Sequence, residues 1–312
     1  MLPNDALQGL PNLAACWLTI GNFDGVHRGH QQIIHAVVSG ARADGKPAVA
    51  LTFDPHPATV LGGITVPKIT TQAEKTQELQ ALGIDHVVYL PFTKELAALT
   101  AEEFMGMLHT QLHFTHLVTG FDFALGRGRS GNNDVLRLLG EQLGYGLTLV
   151  PALEIDGSIV SSTNIRNAIL AGAFGSANSW LGRAYNLSGT VVHGDGRGRT
   201  INIPTSNVDF PLEKVAPAPG VYACVVQVGG KRHFAVSNIG YRPTFTDNAP
   251  LPRLEAHLLD FSGDLYGQQM RVEFIQRIRP EIKFNGVQEL IAQIQKDIVV
   301  ARATLLREWQ TR

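Results

Sequence analysis

The spacing of apolar residues changes once along the chain, near residue 183. Before that point, short apolar runs alternate with stretches in which apolar residues recur at helical spacing. Residues 17–20, 48–53, 86–90 and 117–120 read as strands, with helices over 31–38, 71–82 and 100–112 between them. Such alternation predicts a parallel α/β sheet. Thr71 and Glu74 have the spacing of a capping box and Gly83 suits a left-handed stop, so the helix at 71–82 has defined ends. After Tyr185 the period shortens to two. Residues 221–228 and 231–236 flank Gly229-Gly230 as a hairpin with a two-residue turn, and Met270, Val272 and Phe274 alternate with Arg271 and Glu273 as a half-buried strand. Val287, Leu290, Ile291, Ile294, Ile298 and Ala301 then form one face of a closing helix, whose start Asn285 and Gln288 can cap. The pattern predicts an α/β domain over residues 1–183 and a small antiparallel β-barrel with a C-terminal helix over 184–312.

At 312 residues, with 44% hydrophobic and 17% charged residues, the chain has enough material for two packed cores. Its formal charge of −1 supplies no broad basic field for nucleic acid or an anionic membrane, so any anion site must be local. Cys16 and Cys224 are far apart in sequence and read as buried small hydrophobes, not as a disulfide framework or a thiolate metal site. There is no Lys or Arg before Arg28, and no apolar run reaches membrane-spanning length. The expectation is a cytoplasmic enzyme, a monomer or weak homo-oligomer, acting on small molecules without nucleic-acid or membrane partners.

Chemistry concentrates where strands meet helices. Residues 19–30 run Thr-Ile-Gly-Asn-Phe-Asp-Gly-Val-His-Arg-Gly-His, joining the first strand to the first helix. His27 and His30 therefore fall where free backbone N–H groups favour a phosphate, and Gly29 removes a side chain beside them so that a ligand can approach the backbone. On its own, the pair also reads as a capped turn or as half of a zinc site. Thr52-Phe53-Asp54-Pro55-His56-Pro57 ends the second strand, as either a crevice loop or a proline-stiffened connection. Arg127 and Arg129, in a glycine-rich loop after Gly120-Phe121-Asp122-Phe123, either bind phosphate or are solvated. Ser161, Ser162, Thr163 and Arg166 offer either an ordinary N-cap or hydroxyl and guanidinium donors to an anion. In the second half, residues 189–200 are dense in glycine and arginine without forming a Walker or protein-kinase loop, and Pro204-Thr205-Ser206-Asn207 follows.

Taken together these segments resemble the bacterial bifunctional riboflavin kinase/FAD synthetases, over residues 18–297. Gly-x-Phe-Asp-Gly-Val-His-x-Gly-His at 21–30 is similar to their adenylyltransferase signature, in the wider nucleotidyltransferase superfamily with a Rossmann-like fold marked by His-x-Gly-His. The kinase signature is similar to residues 189–207, joined by Asn238-Ile239-Gly240-Tyr241-Arg242-Pro243-Thr244 and Glu255-Ala256-His257-Leu258-Leu259-Asp260-Phe261. The resemblance implies that ATP phosphorylates riboflavin to FMN in the C-terminal domain. In the N-terminal domain, the FMN phosphate attacks the α-phosphorus of a second ATP, giving FAD and pyrophosphate. It further implies that His27, His30 and Arg166 stabilise charge in adenylyl transfer, with Gly21, Asn22, Phe23, Asp24, Gly29, Arg127, Arg129, Ser161, Ser162 and Thr163 binding ATP. Gly194, Gly198, Arg199 and Thr205 would hold ATP or flavin in the kinase, Thr205 and Asn207 would hold Mg²⁺, and Glu255 would be the base for the ribityl hydroxyl. Strand alternation sets Glu255 on the face of His257, opposite Leu254 and Ala256; without the resemblance it reads as a solvated carboxylate.

Three positions depart from the family pattern. Leu125 stands where phenylalanine is common, Ser206 replaces alanine, and Asn202 replaces glycine. Asn is the side chain that best tolerates a left-handed backbone, so the expectation at 202 is a preserved turn. Two rivals remain at this level: an enzyme with one decayed half, and a flavin-binding regulator without turnover.

Overall fold

The computed structural model describes residues 13–194, 198, 201, 203–242 and 251–310. The chain forms two compact units, residues 1–161 and 162–312. Asp195, Gly196, Arg197, Arg199, Thr200, Asn202, Pro243 and Thr244 lie outside the described residues.

Unit 1 contains β1 (Cys16–Ile20), α1 (Arg28–Ala43), β2 (Ala48–Asp54), α2 (Pro57–Gly62), α3 (Gln72–Ala81), β3 (His86–Pro91), α4 (Lys94–Ala97), α5 (Ala101–Leu112), β4 (Phe114–Gly120), α6 (Asn133–Leu143), β5 (Gly146–Val150), and the short hairpin of β6 (Glu154–Ile155) and β7 (Ser158–Ile159). The main sheet has the order β3-β2-β1-β4-β5, and its neighbours are all parallel. The order in which the chain lays down strands reverses between β1 and β4, which opens a crevice at their carboxyl ends. The loops after both strands, at 21–27 and 121–132, are among those singled out by their composition. Helices cover both faces, so the central strands are buried over most of their length. Leu18, Leu51, Phe104, Met105, Leu108 and Leu117 fill one side, while Phe23, Val26, Ile34, Val37, Ala50 and Val118 fill the other.

Local signals behave as expected at α3, where Thr71 and Glu74 make both bonds of the capping box and Gly83 has φ 100°. A second capping box, Thr100 with Glu103, starts α5. Cys16 and Cys224 are fully buried, and burial raises each thiol to about 12, so neither is a nucleophile.

Unit 2 opens with α7 (Ser162–Ala171) and α8 (Phe174–Leu181). A closed barrel follows, with order β10-β11-β12-β9-β8-β13, formed by β8 (Tyr185–Val192), β9 (Ser206–Asp209), β10 (Gly220–Val228), β11 (Lys231–Arg242), β12 (Leu251–Leu258) and β13 (Gln269–Arg279); α9 (Val287–Gln310) ends it. Gly229 and Gly230, at φ 56° and 73°, pair Val228 with Lys231 as the two-residue hairpin requires. Met270, Val272 and Phe274 point into the barrel core. The closing helix differs from expectation at its start: Glu289, not Gln288, accepts the Asn285 backbone N–H at 3.0 Å, and Val287 is 58% exposed. Ala301 and Leu305 supply the core contact. Arg279 clamps α9 to β13 with three bonds of 2.8–3.0 Å to the buried Asp297 carboxylate.

Candidate functional site

Residues 21–27 turn sharply from β1 into α1. Phe23 and Val26 both take left-handed φ, 47° and 40°, although Val26 is β-branched and both are buried. Such backbone costs on the order of 1–3 kcal/mol per residue and persists only where its surroundings enforce it. Asp24 does so from below, accepting the N–H groups of Ile69 at 3.0 Å and Thr70 at 3.2 Å. Lys75 does so from α3, donating at 2.7 Å to the Asn22 carbonyl and at 3.3 Å to Thr52 Oγ1. Burial lowers the Lys75 ammonium from its ordinary value, partly opposed by the Asp24 carboxylate. Sequence reasoning missed Lys75, because a lysine on a polar helix face reads as solvated. Its backing of the corner is legible only when α3 is laid against β1 and β2.

His27 caps α1, its Nδ1 accepting the His30 backbone N–H at 3.3 Å. That bond leaves the proton of neutral His27 on Nε2. The two rings stack with centroids 3.6 Å apart, and Phe23 meets His30 edge-on at 5.3 Å. The bare Cα of Gly29 is what admits the His27 ring: a Cβ there would stand 3.2 Å from its Cε1 and Nδ1. The space the glycine frees is therefore taken by a histidine. His30 Nδ1 is buried without a hydrogen-bond partner, and its imidazole is pushed well below the usual range by burial, then by His27 and Lys75. Asn22, Asp24, Asp54, His56, Lys68 and Lys75 line a narrow cleft next to this corner, with the Asn22 amide 3.2 Å from His56 Nε2.

The remaining predicted groups of the first reaction come from later in the chain, and the Val160 carbonyl, just before Ser161, would stand 3.6 Å from a Cβ at Gly29. Arg127 and Arg129 are exposed on a single 3₁₀ turn, where Arg129 donates to the Asp122 carbonyl at 3.2 Å. Leu125 bridges to Gly131 through two backbone bonds and packs on the core, which is a leucine's task and needs no aromatic ring. Ser161 ends unit 1, whereas Ser162, Thr163 and Arg166 belong to the first helix of unit 2.

In unit 2, β9 and β12 pair Asn207 directly with Glu255. Leu254 and Ala256 are fully buried, whereas Glu255 and His257 face a cavity of about 800 Å³, also lined by Gly198, Thr205, Asn238, Phe284, Leu290 and Ile294. A second pocket, of about 250 Å³, lies between Pro204–Ser206 and residues 261–266. Thr205 lines both, and its hydroxyl donates to Glu255 Oε2 at 3.4 Å. Gly194 abuts the Asn207 amide so closely that a Cβ would stand 2.0 Å from Nδ2. Among the described residues no three His, Cys, Asp or Glu side chains gather as a metal site. Thr205 and Asn207 are hard oxygen donors of the kind Mg²⁺ takes. As arranged, however, they do not fit a cation, because Arg253 Nε already holds Asn207 Oδ1 at 2.7 Å.

Comparison with known proteins bears on both units. Residues 10–164 match the family model for FAD synthetase and residues 181–305 that for riboflavin kinase. Proteins named bifunctional riboflavin kinase/FMN adenylyltransferase are 38% identical in Listeria monocytogenes, over 92% of this chain and 91% of that one, and in Escherichia coli K12, over 95% and 96%. A crystal structure described as a macrolide-efflux protein from Streptococcus pneumoniae aligns with a TM-score of 0.86 at 32% identity, over 94% of this chain and 95% of the other. No helix among the described residues is long and apolar enough to cross a membrane.

Proposed function

We propose, for a chain that belongs to the bifunctional riboflavin kinase/FMN adenylyltransferase family, an assignment of its two reactions to particular side chains. The chain phosphorylates riboflavin to FMN and adenylylates FMN to FAD, with ATP as co-substrate in each step. The division of labour is proposed to fall at 183/184, as the change in sequence period suggests.

The kinase assignment is carried by one observation: Thr205 lines two cavities at once, within reach of Glu255. The larger, mostly apolar cavity suits an isoalloxazine ring, and the smaller pocket suits a nucleotide. Their ligands' reacting ends then meet at Thr205. Glu255 takes the proton of the ribityl hydroxyl while that oxygen bonds to the γ-phosphorus and ADP leaves. Gly194, Gly198 and Arg199 are proposed to hold ATP or flavin, and Thr205 and Asn207 to hold Mg²⁺. The last assignment requires Asn207 to be released by Arg253.

For adenylyl transfer, His27 Nε2–H and His30 are the proposed donors to the phosphates, with Arg166 as a further charge-stabilising group. The nucleophile is an FMN phosphate oxygen already carrying negative charge, so no base is needed; the bond to the α-phosphorus forms as pyrophosphate departs. Gly21, Asn22, Phe23, Asp24, Gly29, Arg127, Arg129, Ser161, Ser162 and Thr163 are the proposed ATP-binding set. For Asp24 the support is indirect, since its carboxylate serves the loop backbone. The proposal sets both reactions in the cytoplasm, in a monomer or weak homo-oligomer without nucleic-acid partners.

Product analysis tests the assignment. With riboflavin, ATP and Mg²⁺, the wild-type chain is expected to yield FAD through FMN, and His30→Ala to stop at FMN. Glu255→Gln is expected to make FAD only from supplied FMN. Loss of both activities in either folded variant would refute the assignment.

A further inference from the structure

We propose that His257 is a positioning residue of the kinase site: its imidazole anchors the Pro204 carbonyl and so holds Thr205 where the flavin and nucleotide pockets meet. The inference deepens the kinase reading above and rests on it. Pairing between β9 and β12 stops at Ser206 and Ala256, so Pro204 and Thr205 lie beyond the ladder. Proline has no N–H, which leaves the carbonyl as the only polar backbone group of Pro204. His257 Nδ1 meets that carbonyl at 2.8 Å. A carbonyl oxygen only accepts, so Nδ1 carries a proton and donates it, and the neutral ring keeps its lone pair on Nε2.

His257 and Glu255 are two residues apart on β12, so both side chains leave the same face of the strand. Each holds one end of the same dipeptide, His257 at the Pro204 carbonyl and Glu255 Oε2 at the Thr205 hydroxyl, 3.4 Å away. Pro204 and Thr205 line the smaller pocket, while Thr205, Glu255 and His257 line the larger cavity. Glu255 cannot serve as the sole anchor, because the reaction changes its charge. As it takes the ribityl proton, its carboxylate loses the charge that strengthens the bond from Thr205. The bond from His257 involves no group that gains or loses a proton in phosphoryl transfer, so it keeps Thr205 in place throughout the step.

The test uses the different reach of two amides. An asparagine amide occupies the place of imidazole Nδ1 and a glutamine amide that of Nε2, so only His257→Asn can still donate to Pro204. FMN formation from riboflavin and ATP is measured on the full chain, with a melting curve to show that each variant is folded. His257→Ala and His257→Gln are expected to lower kinase kcat by about tenfold to a hundredfold, the scale of misplacing a positioned group by up to about 1 Å, with KM for riboflavin changed by less than about threefold. His257→Asn is expected to restore kcat to within about threefold of wild type. The comparison of asparagine with glutamine decides the matter even where His257→Ala does not fold. Equal kcat in the folded asparagine and glutamine variants, or a kcat in His257→Gln within about threefold of wild type, overturns the inference. Should Glu255→Gln leave turnover unchanged, the kinase reading falls and this inference with it. Loss of turnover in Glu255→Gln without loss in His257→Gln rejects the anchor alone.

Discussion

Gly194→Ala isolates the kinase site with a single methyl group. The new Cβ would stand 2.0 Å from Asn207 Nδ2 and 2.8 Å from Arg253 Nη2. To reach an ordinary contact of 3.4 Å, the Asn207 amide must retreat by roughly 1.4 Å. Both obstructing atoms are ends of side chains, so the fold can absorb the methyl; a Gly→Ala change also stiffens the unfolded chain, by about 0.4–1 kcal/mol in favour of folding. The expected stability change is therefore below about 1 kcal/mol in either direction. The site cannot absorb it, because misplacing a positioning group by about 1 Å costs on the order of 10²-fold in rate. Gly189→Ala is the contrasting control: its Cβ would stand 1.9 Å from the Asp209 backbone carbonyl on the paired strand, so the barrel itself must open, at a cost of about 3 kcal/mol or more. FMN formation from riboflavin, followed by chromatography alongside FAD formation from supplied FMN, separates the cases. For Gly194→Ala, kinase kcat/KM is expected to fall about a hundredfold with adenylylation and melting temperature preserved. A kinase kcat/KM within about threefold of wild type would mean that the position of Asn207 does not govern phosphoryl transfer.

Glu255→Gln is expected to lower kinase turnover by about 10²-fold with little change in ATP affinity, and a rate within twofold of wild type would make Glu255 structural. Lys75→Met removes the donor to the Asn22 carbonyl without changing side-chain volume much; adenylylation is expected to fall by about tenfold or more while the kinase is unaffected, and equal loss of both would point to misfolding. His30 gives a pH signature. Its folded value lies below its unfolded one, so the unfolded state binds more protons in the window below about 6.5, and unfolding free energy falls with pH there by at most about 1.4 kcal/mol per unit. Denaturant unfolding of wild type and His30→Gln from pH 7.5 to 5 checks this: the variant's curve is expected to be flatter, and parallel curves would contradict the buried neutral imidazole.

What could be read from the sequence followed its periodicity. The helix at 71–82 carries its own cap and stop, and the hairpin at 229–230 its own turn, so each is specified within a few residues. Elements whose evidence is tertiary were harder to see. The strand β8 runs through Gly189 to Val192, but a glycine in a strand reads as loop until the Asp209 carbonyl beside it is known. α6 starts immediately after the glycine- and arginine-rich loop, where Asn132 caps it at 3.1 Å, so the loop's composition masks its start. Among site residues, the histidines and Glu255 were visible as motif members. Lys75 and Arg253 were not, because each looks like an ordinary charged side chain on a polar face until partners 53 and 46 residues away come into contact.

The bond that Asp24 makes to Ile69 is addressed to a main-chain N–H group, which every residue but proline provides, whereas at Thr70 the hydroxyl joins the N–H in donating to Asp24 and accepts the Gly25 N–H at 3.0 Å. The linkage between the histidine corner and the segment entering α3 is thus written in side chains at 24 and 70 and in backbone alone at 69. Over evolutionary time position 69 can change its side chain without announcing itself at position 24, so correlated substitution would mark this joint between 24 and 70 and leave 69 unmarked. A proline at 70 would remove the N–H and the hydroxyl together.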